Sequence, residues 1–462
     1  MKYNYSLITA ICVLVGLGLV SCTDKPEVVK PPNVLFLLVD DMGYGELASY
    51  GQEVIQTPHL DELASQGMSF NNFYTGTSVC SPSRASLMTG MHTGHVSIRG
   101  NKGQYDDGKW DRVPLKKSEV TLGEMMKSAG YQTAFVGKWH LGLPEDLSTW
   151  AMGRGYDYAV QEQWGTSDKG ETFDERMHWI NNRMDSSFYD YTKYDCIDEF
   201  RTNFALEYLE KKSTDKPFFL LMSYRIPHAH EFFLRDTTMY TGRGWPEIER
   251  RHAARITMLD QQVHRLLSQL EKSGELENTL VIFTSDNGPH NENKHDKDFF
   301  QSSGGLKGYK RDLHEGGIRV PMIAYWKGKV AAGIRTDQQA VFYDVMPTLA
   351  DLVGIAAPDQ TDGVSFLPTL LGQTQTEQHD HFYWEIQEGS NAKGFKQAAL
   401  KDQWKAVRVA DSYHTELYDL STDPYEQNDR SADYPELVEQ MNQILKTESV
   451  VIEHYPYSGG IF

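Results

Sequence analysis

The 462-residue chain predicts an α/β fold, a sheet with helices packed on its faces, followed by a smaller C-terminal α+β subdomain. Three observations carry this. Apolar runs with the look of strands buried on both faces alternate with helical patterns that bring their own caps. Four of those runs stop abruptly at ionisable residues, where open α/β sheets bind ligands. Near Gly372 the pattern shifts to short strands and one terminal helix.

In order, the run Asn33 to Val39 ends at Asp40-Asp41 and reads as a central strand. Thr57-Pro58 opens a helix with Leu60, Leu63 and Ala64 on its face and Gly67 at its end. Pro82 suits the first turn of a helix starting near Cys80, with Leu87, Met88 and Met91 on one buried side. Thr121-x-x-Glu124 is a capping box ahead of Leu122, Met125, Met126 and Ala129. Three further strands follow: Thr133 to Val136 leads to Lys138 and His140, Phe218 to Met222 leads to His228, and Leu280 to Phe283 leads to Asp286 and Asn287. The stretch from Trp150 to Asp198 lacks sustained periodicity and is expected to be an insertion or long loop. Its aromatics, Trp164, Trp179, Tyr189, Tyr191 and Tyr194, either stack on sugars or cover the core. Glu247 to Lys272 carries Ile256, Leu259, Val263, Leu266, Leu267 and Leu270 on one stripe, with His252 and His264 as ordinary helix histidines. Gln397 to Leu400 and Trp404 to Val409 are short strands, and Pro435 to Lys446 a final helix.

The termini and cysteines bound the setting. Ile8 to Val20 is apolar but shorter than the ~20 residues of a membrane span, and Leu19-Val20-Ser21-Cys22 looks like a lipobox. The expected organisation is therefore a lipoprotein signal over 1–21, a tether over 22–32, a catalytic domain over 33–371 and a subdomain over 372–462. Cys22 would be lipidated, anchoring an exported protein to a membrane on its periplasmic or cell-surface side; an ordinary secretory signal is the alternative. Loss of Lys2 with the signal moves the formal net charge from −19 to −20. No basic run points to nucleic acid. Cys196 is expected to be a packed free thiol, since pairing it with Cys80 would consume the nucleophile proposed next.

Cys80-Ser81-Pro82-Ser83-Arg84 sets a small nucleophile at the positive end of a helix beside a fixed cation. A first-turn arginine opposes the macrodipole, so helix stability does not explain Arg84, whereas an anionic ligand does. Asp40, Asp41, Asp286 and Asn287 offer hard oxygen donors, a set suited to Ca²⁺ or Mg²⁺ rather than zinc.

Cys-x-Pro-x-Arg followed by Leu87-x-Thr-Gly90 resembles the signature of type I sulfatases, and the resemblance runs from about Asn33 to Asn428. It implies an alkaline-phosphatase-like large mixed sheet flanked by helices. It also implies a sulfatase in which a maturation enzyme converts Cys80 to formylglycine. A geminal diol at that position can shed sulfate by collapsing to the aldehyde, whereas a plain thiol or hydroxyl would stay sulfated. By the same resemblance Asp40, Asp41, Asp286 and Asn287 hold one Ca²⁺, or Mg²⁺, that also touches residue 80. Gly137-Lys138-Trp139-His140 supplies a sulfate-binding lysine and the histidine base, two apart in an extended stretch and so on one side. His228, with His230 as its near rival, contacts sulfate or the leaving oxygen. Lys310, five residues before Glu315-Gly316-Gly317-Ile318-Arg319, binds sulfate in preference to Lys307.

His92-Thr93-Gly94-His95, Ile98-Arg99-Gly100-Asn101 and Asp286-Asn287-Gly288-Pro289-His290 look most like the arylsulfatase A and N-acetylgalactosamine-6-sulfatase branch. That implies a sulfated saccharide as substrate, a galactose or N-acetylgalactosamine sulfated at O6 within a glycosaminoglycan or mucin glycan. His290, His295 and Asp296 either reach its hydroxyls or serve the loop. The rival readings are a phosphatase or phosphonate hydrolase of the same superfamily, and a non-catalytic glycan-binding lipoprotein.

Overall fold

Strand β1, Asn33–Asp40, is buried along its whole length and lies inside the main sheet. The computed structural model describes Met1 and residues 30–162, 165–166, 172–173, 176–181, 185–229, 234–409 and 414–459. Within it, Pro32–Phe462 form one unit. The signal, the lipobox with Cys22, Trp164 and His230 lie outside the described residues.

In chain order the elements are β1; α1, Pro58–Gln66; β2, Met68–Tyr74; α2, Cys80–Thr89; the ribbon of β3, Gly103–Gln104, and β4, Trp110–Asp111; α3, Leu122–Ser128; β5, Gln132–Gly137; and β6, Tyr158–Glu162. Then come the ribbon of β7, Gly165–Thr166, and β8, Thr172–Phe173; β9, Met177–Ile180; β10, Ser186–Phe188; α4, Ile197–Lys211; β11, Phe218–Pro227; α5, Glu247–Lys272; and β12, Thr279–Ser285. The chain closes with α6, Glu315–Ile318; β13, Met322–Tyr325; β14, Ile334–Val341; α7, Val345–Val353; α8, Leu367–Leu370; β15, Phe382–Gln387; β16, Phe395–Lys401; β17, Trp404–Val409; β18, Thr415–Asp419; and α9, Pro435–Thr447.

Among the described residues the main sheet has ten strands in the order β10-β9-β6-β5-β11-β1-β12-β13-β2-β14. Its centre, β6-β5-β11-β1-β12, is parallel, and β13 and β9 run antiparallel to their neighbours. Alternation along β1 divides the core. Val34, Phe36 and Leu38 face α2, α3 and α7, while Leu35, Leu37 and Val39 face α1, α4 and α5. The fold is thus the large mixed sheet with helices on both faces, and the structure corrects two details. All ten residues of α2 are buried, so it is a central helix rather than one with a single buried side. The stretch from 150 to 198 is no simple loop: β6, β9 and β10 extend the sheet. Its short antiparallel pairings escape a search for sustained periodicity. Tyr189 is buried and packs with Tyr194 on Phe200, covering core.

The second sheet is the antiparallel meander β15-β16-β17-β18. Phe382, Trp384 and Ile386 point to Tyr74, Val79, Leu313 and Ile318, and Tyr383, Ala399, Ala406 and Leu417 take α9 through Met441 and Leu445. One face of this sheet therefore rests on the segments that flank Cys80 and Lys310. Cys196 is a buried free thiol in the core on the α4 side.

Glu162, at the end of β6, pairs with Arg201 of α4 and accepts from Arg225 Nη1 of β11 at 2.9 Å. Burial opposes its charge, yet the two guanidiniums outweigh it and bring the carboxyl from 4.5 down to about 2. A carboxyl depressed in the folded state adds stability that is fully present above its unfolded value and is lost as pH falls from about 4.5 to 2. Glu162→Gln is expected to cost on the order of 3 kcal/mol at neutral pH and to flatten the acid limb of the stability curve. Urea unfolding at a series of pH values checks this; an equally steep limb in the variant would assign it to other carboxylates.

Candidate active site

The four strands that end in ionisable residues prove to be neighbours, β5-β11-β1-β12, so their carboxyl ends deliver Lys138, His228, Asp40-Asp41 and Asp286-Asn287 to one place. Cys80, the first residue of α2, is buried there with Sγ 3.4 Å from Asp40 Oδ1 and 3.9 Å from Asp41 Oδ1. Burial, reinforced by Asp286 and Asp40, pushes its thiol well above the usual range despite Lys138. As a bare thiol it is a poor nucleophile at neutral pH.

Arg84 binds this centre at three points. Its Nε donates to Asp286 Oδ2 at 2.7 Å, and its Nη1 to Lys138 O at 2.7 Å and Ser223 Oγ at 2.6 Å. Its Nη2 has no hydrogen-bond partner among the described residues and lies 3.8 Å from Asp40 Oδ1. Lys138 Nζ meets both oxygens of Asp40 at 2.9 and 2.7 Å, and Lys310 Nζ meets Asp41 Oδ2 at 2.7 Å. Three buried cations thus converge around Cys80. His228 Nε2 stands 3.8 Å from Asp41 Oδ2 at the partly open side. Lys307 instead turns to the second sheet, donating to Tyr418 Oη at 2.7 Å. Of the two lysines in that loop, the structure brings Lys310 to the site.

His140 does not continue an extended strand. Its φ of 60° is left-handed, as is the 67° of Asp41, and such strain in non-glycine residues gathers at functional sites. His140 still lies within the field of Lys138, Arg112 and Arg84, and burial together with these cations holds its imidazole well below the usual range, which favours the neutral form. Burial does the same to His228, against the opposing pull of Asp40. Gly137 permits the close approach of β5 to β11: with φ 120°, an added Cβ would sit 1.8 Å from Ser223 O.

The donor set fits a hard divalent cation. Asp40, Asp41, Asp286 and Cys80 offer atoms within 4.8 Å of one another. Asn287 donates from Nδ2 to Asp41 Oδ1 at 2.7 Å, and its buried Oδ1 accepts from no described residue. Burial raises Asp41 and lifts Asp286 to about 7, whereas at Asp40 burial is outweighed by Lys138, His228, Arg84 and Lys310. Carboxylates crowded this way need more positive charge to ionise together.

Several residues that hold the site are given no role by the sequence: Ser81, Ser83 and Asn101 lie inside the motifs quoted from it, and Ser223 lies outside them. Ser81 Oγ donates to His140 O at 2.8 Å, Ser83 Oγ to Asp286 O at 2.6 Å, and Ser81 N to Asn101 Oδ1 at 3.0 Å. With Ser223 they tie the start of α2 to the strand ends. His290 and His295 are both buried, with His290 Nε2 3.0 Å from Pro227 O and His295 Nδ1 2.7 Å from Glu249 Oε2. Asp296 is exposed. His252 is no ordinary helix histidine; it is buried and its Nε2 lies 2.6 Å from Glu46 Oε1.

Two family models match the chain: Sulfatase over residues 32–355, and N-sulphoglucosamine sulphohydrolase, C-terminal, over residues 307–450. An arylsulfatase of Hemicentrotus pulcherrimus is 31% identical over 416 residues, covering 86% of this chain and 69% of its own. An N-acetylgalactosamine-6-O-sulfatase of Bacteroides thetaiotaomicron is 27% identical over 528 residues, covering 96% of this chain and 98% of its own. Among solved structures, Ps i-CgsB shares the fold, with a TM-score of 0.75 at 24% identity over 92% of this chain and 96% of that one. Because the first model spans all four strand ends, α2 and the Lys310 loop, the chain belongs to the sulfatase family and is a sulfuric ester hydrolase.

Proposed function

We propose that this sulfatase hydrolyses a sulfate monoester of a carbohydrate, using formylglycine made from Cys80 by a maturation enzyme and one calcium ion, with magnesium the alternative. The observation that carries it is the convergence of Arg84, Lys138 and Lys310 around a buried residue 80 beside an oxygen-rich donor set. In that reading Asp40, Asp41, Asp286 and Asn287 hold the cation. When present, a formylglycine at position 80 would supply a hydroxyl nucleophile and a second hydroxyl for release, and a bound cation would supply positive charge to a sulfate ester. Arg84, Lys138 and Lys310 bind the anion where its charge develops. Neutral His140 accepts a proton from a hydroxyl at position 80, and His228 hydrogen-bonds to the sulfate or the leaving oxygen.

The relative from Bacteroides thetaiotaomicron is named for N-acetylgalactosamine 6-O-sulfate, which supports a galactose or N-acetylgalactosamine sulfated at O6, in a glycosaminoglycan or mucin glycan. Sulfate release from 6-sulfated N-acetylgalactosamine is expected to exceed that from the 4-sulfated sugar and from 6-sulfated N-acetylglucosamine. A clear preference for the gluco sugar would overturn the assignment, and hydrolysis of phosphonate esters alone would overturn the reaction class. The same reading places the enzyme outside the cytoplasm on a lipid anchor at Cys22, supported by Leu19-Val20-Ser21-Cys22. Cell fractionation tests it: the native protein should sediment with membranes and Cys22→Ala should not, and a native protein found wholly soluble would rule the anchor out.

A further inference from the structure

Above the buried centre lies a rim of half-exposed charges of mixed sign. Arg311 follows Lys310 directly, and its side chain is 45% exposed where that of Lys310 is 2% exposed. Its guanidinium joins two carboxylates, with Nη1 donating to Glu292 Oε1 at 2.6 Å and Nε to Glu388 Oε2 at 3.3 Å. The backbone of Arg311 is left-handed, φ 74°. It is pinned at both ends: the N–H donates to Ser78 O at 2.7 Å, in the loop before Cys80, and the C=O accepts from Lys396 Nζ of β16 at 2.7 Å. Ion pairs this exposed add little stability, so they do not account for a strained arginine held over the site.

The two carboxylates are tied to the reacting centre. Glu292 Oε1 lies 3.4 Å from Lys310 Nζ, and one of its oxygens, one of Asp41 and a ring nitrogen of His228 fall within 4.8 Å of one another. Glu388 Oε1 accepts from Asn101 N at 3.1 Å, and Asn101 Oδ1 accepts from Ser81 N beside Cys80. Burial opposes the charge of Glu292, but Lys310 and Arg311 outweigh it and keep it ionised.

We propose that Arg311, Glu292 and Glu388 form the subsite that selects the leaving group, favouring a neutral sugar with adjacent hydroxyls and rejecting one with a second anionic group near the scissile ester. This rests on the carbohydrate sulfate reading above. A guanidinium between carboxylates presents donors and acceptors side by side, the pattern that hydroxyls, which both donate and accept, can satisfy. The floor of the site carries three cations, whereas at the rim Glu292 and Glu388 flank Arg311, with Lys396 turned to the Arg311 carbonyl and Lys310 3.4 Å from Glu292 beneath. A sulfate or uronate at the rim would leave Glu292 and Glu388 facing like charge, which is discrimination by repulsion.

The test compares wild type, Glu388→Gln and Arg311→Met on three substrates: 6-sulfated N-acetylgalactosamine, its 4,6-disulfated form, and 4-nitrophenyl sulfate, which has no sugar hydroxyls. Both variants keep Glu292, since that residue also touches Lys310. Wild type should prefer the monosulfated sugar to the disulfated one by at least about tenfold in kcat/KM, and each variant should lose about tenfold more on that sugar than on the aryl ester, chiefly through KM. Glu388→Gln should also narrow the mono- to disulfate preference. Equal losses on sugar and aryl ester, or an unchanged mono- to disulfate ratio, would overturn the subsite alone. Wild type that turns over the aryl ester but none of the sugars would overturn the carbohydrate reading beneath it, and the subsite with it.

Discussion

Cys80→Ala is expected to abolish sulfate release and to leave the fold intact. Loss of a catalytic nucleophile costs on the order of 10⁶ in kcat where it has been measured, far more than the loss of any single cation around the site. The structural cost is small by comparison. Cys80 is the first residue of α2 and its sulfur makes two contacts, to Asp40 and Asp41, while the helix is held through Ser81, Ser83 and Arg84. The unconverted protein should be equally inactive, because burial and the neighbouring carboxylates keep the thiol protonated at neutral pH. Three measurements decide this: turnover of the variant, its circular dichroism and thermal midpoint, and peptide mass spectrometry of position 80 in active enzyme. Full activity in Cys80→Ala, or in protein carrying an unmodified cysteine, would sink the formylglycine mechanism.

Chelation is the second large effect. Stripping divalent cations should lower the rate by about a hundredfold to a thousandfold or more, and calcium or magnesium should restore it. Two causes combine. Positive charge available to a sulfate would be lost, and the freed carboxylates would compete with substrate for the lysines, as the 2.7 Å contacts of Lys138 with Asp40 and Lys310 with Asp41 allow. Added cation should also raise the thermal midpoint, since a ligand at a hundred times its Kd stabilises by ~2.7 kcal/mol. Recovery by zinc alone would favour a phosphatase-like centre. A rate indifferent to both chelator and cation would remove the cation from the mechanism.

Much of the site is legible in the chain because its parts are local. An apolar run that stops at Asp40-Asp41 announces a buried strand and what waits at its end, and the same reading finds Lys138, His228 and Asp286-Asn287. Thr121 and Glu124 form the capping box their spacing requires, with both reciprocal hydrogen bonds in place. The path at His140 is misjudged, because a left-handed φ leaves no trace in periodicity. His290 and His295 follow β12 closely in sequence, yet their rings turn to Pro227 and Glu249, partners supplied by β11 and α5.

By itself the sequence determined that Asp40-Asp41, Lys138, His228 and Asp286-Asn287 follow apolar strand runs and that Cys80 opens a helix, since these follow from side-chain chemistry and short-range period, whereas Lys310 in its loop is picked out only by the family resemblance. Only the tertiary structure decided that β5, β11, β1 and β12 lie side by side, so that residues as far apart as Asp41 and Asn287 share a hydrogen bond. It alone decided that the second sheet grips the loop of Lys310 through Lys405 on Glu315 at 2.8 Å and Lys396 on Arg311. Strand order and sheet docking are set by the packing of whole faces and by charges that must find partners once buried. No local window of the chain contains both sides of such a contact.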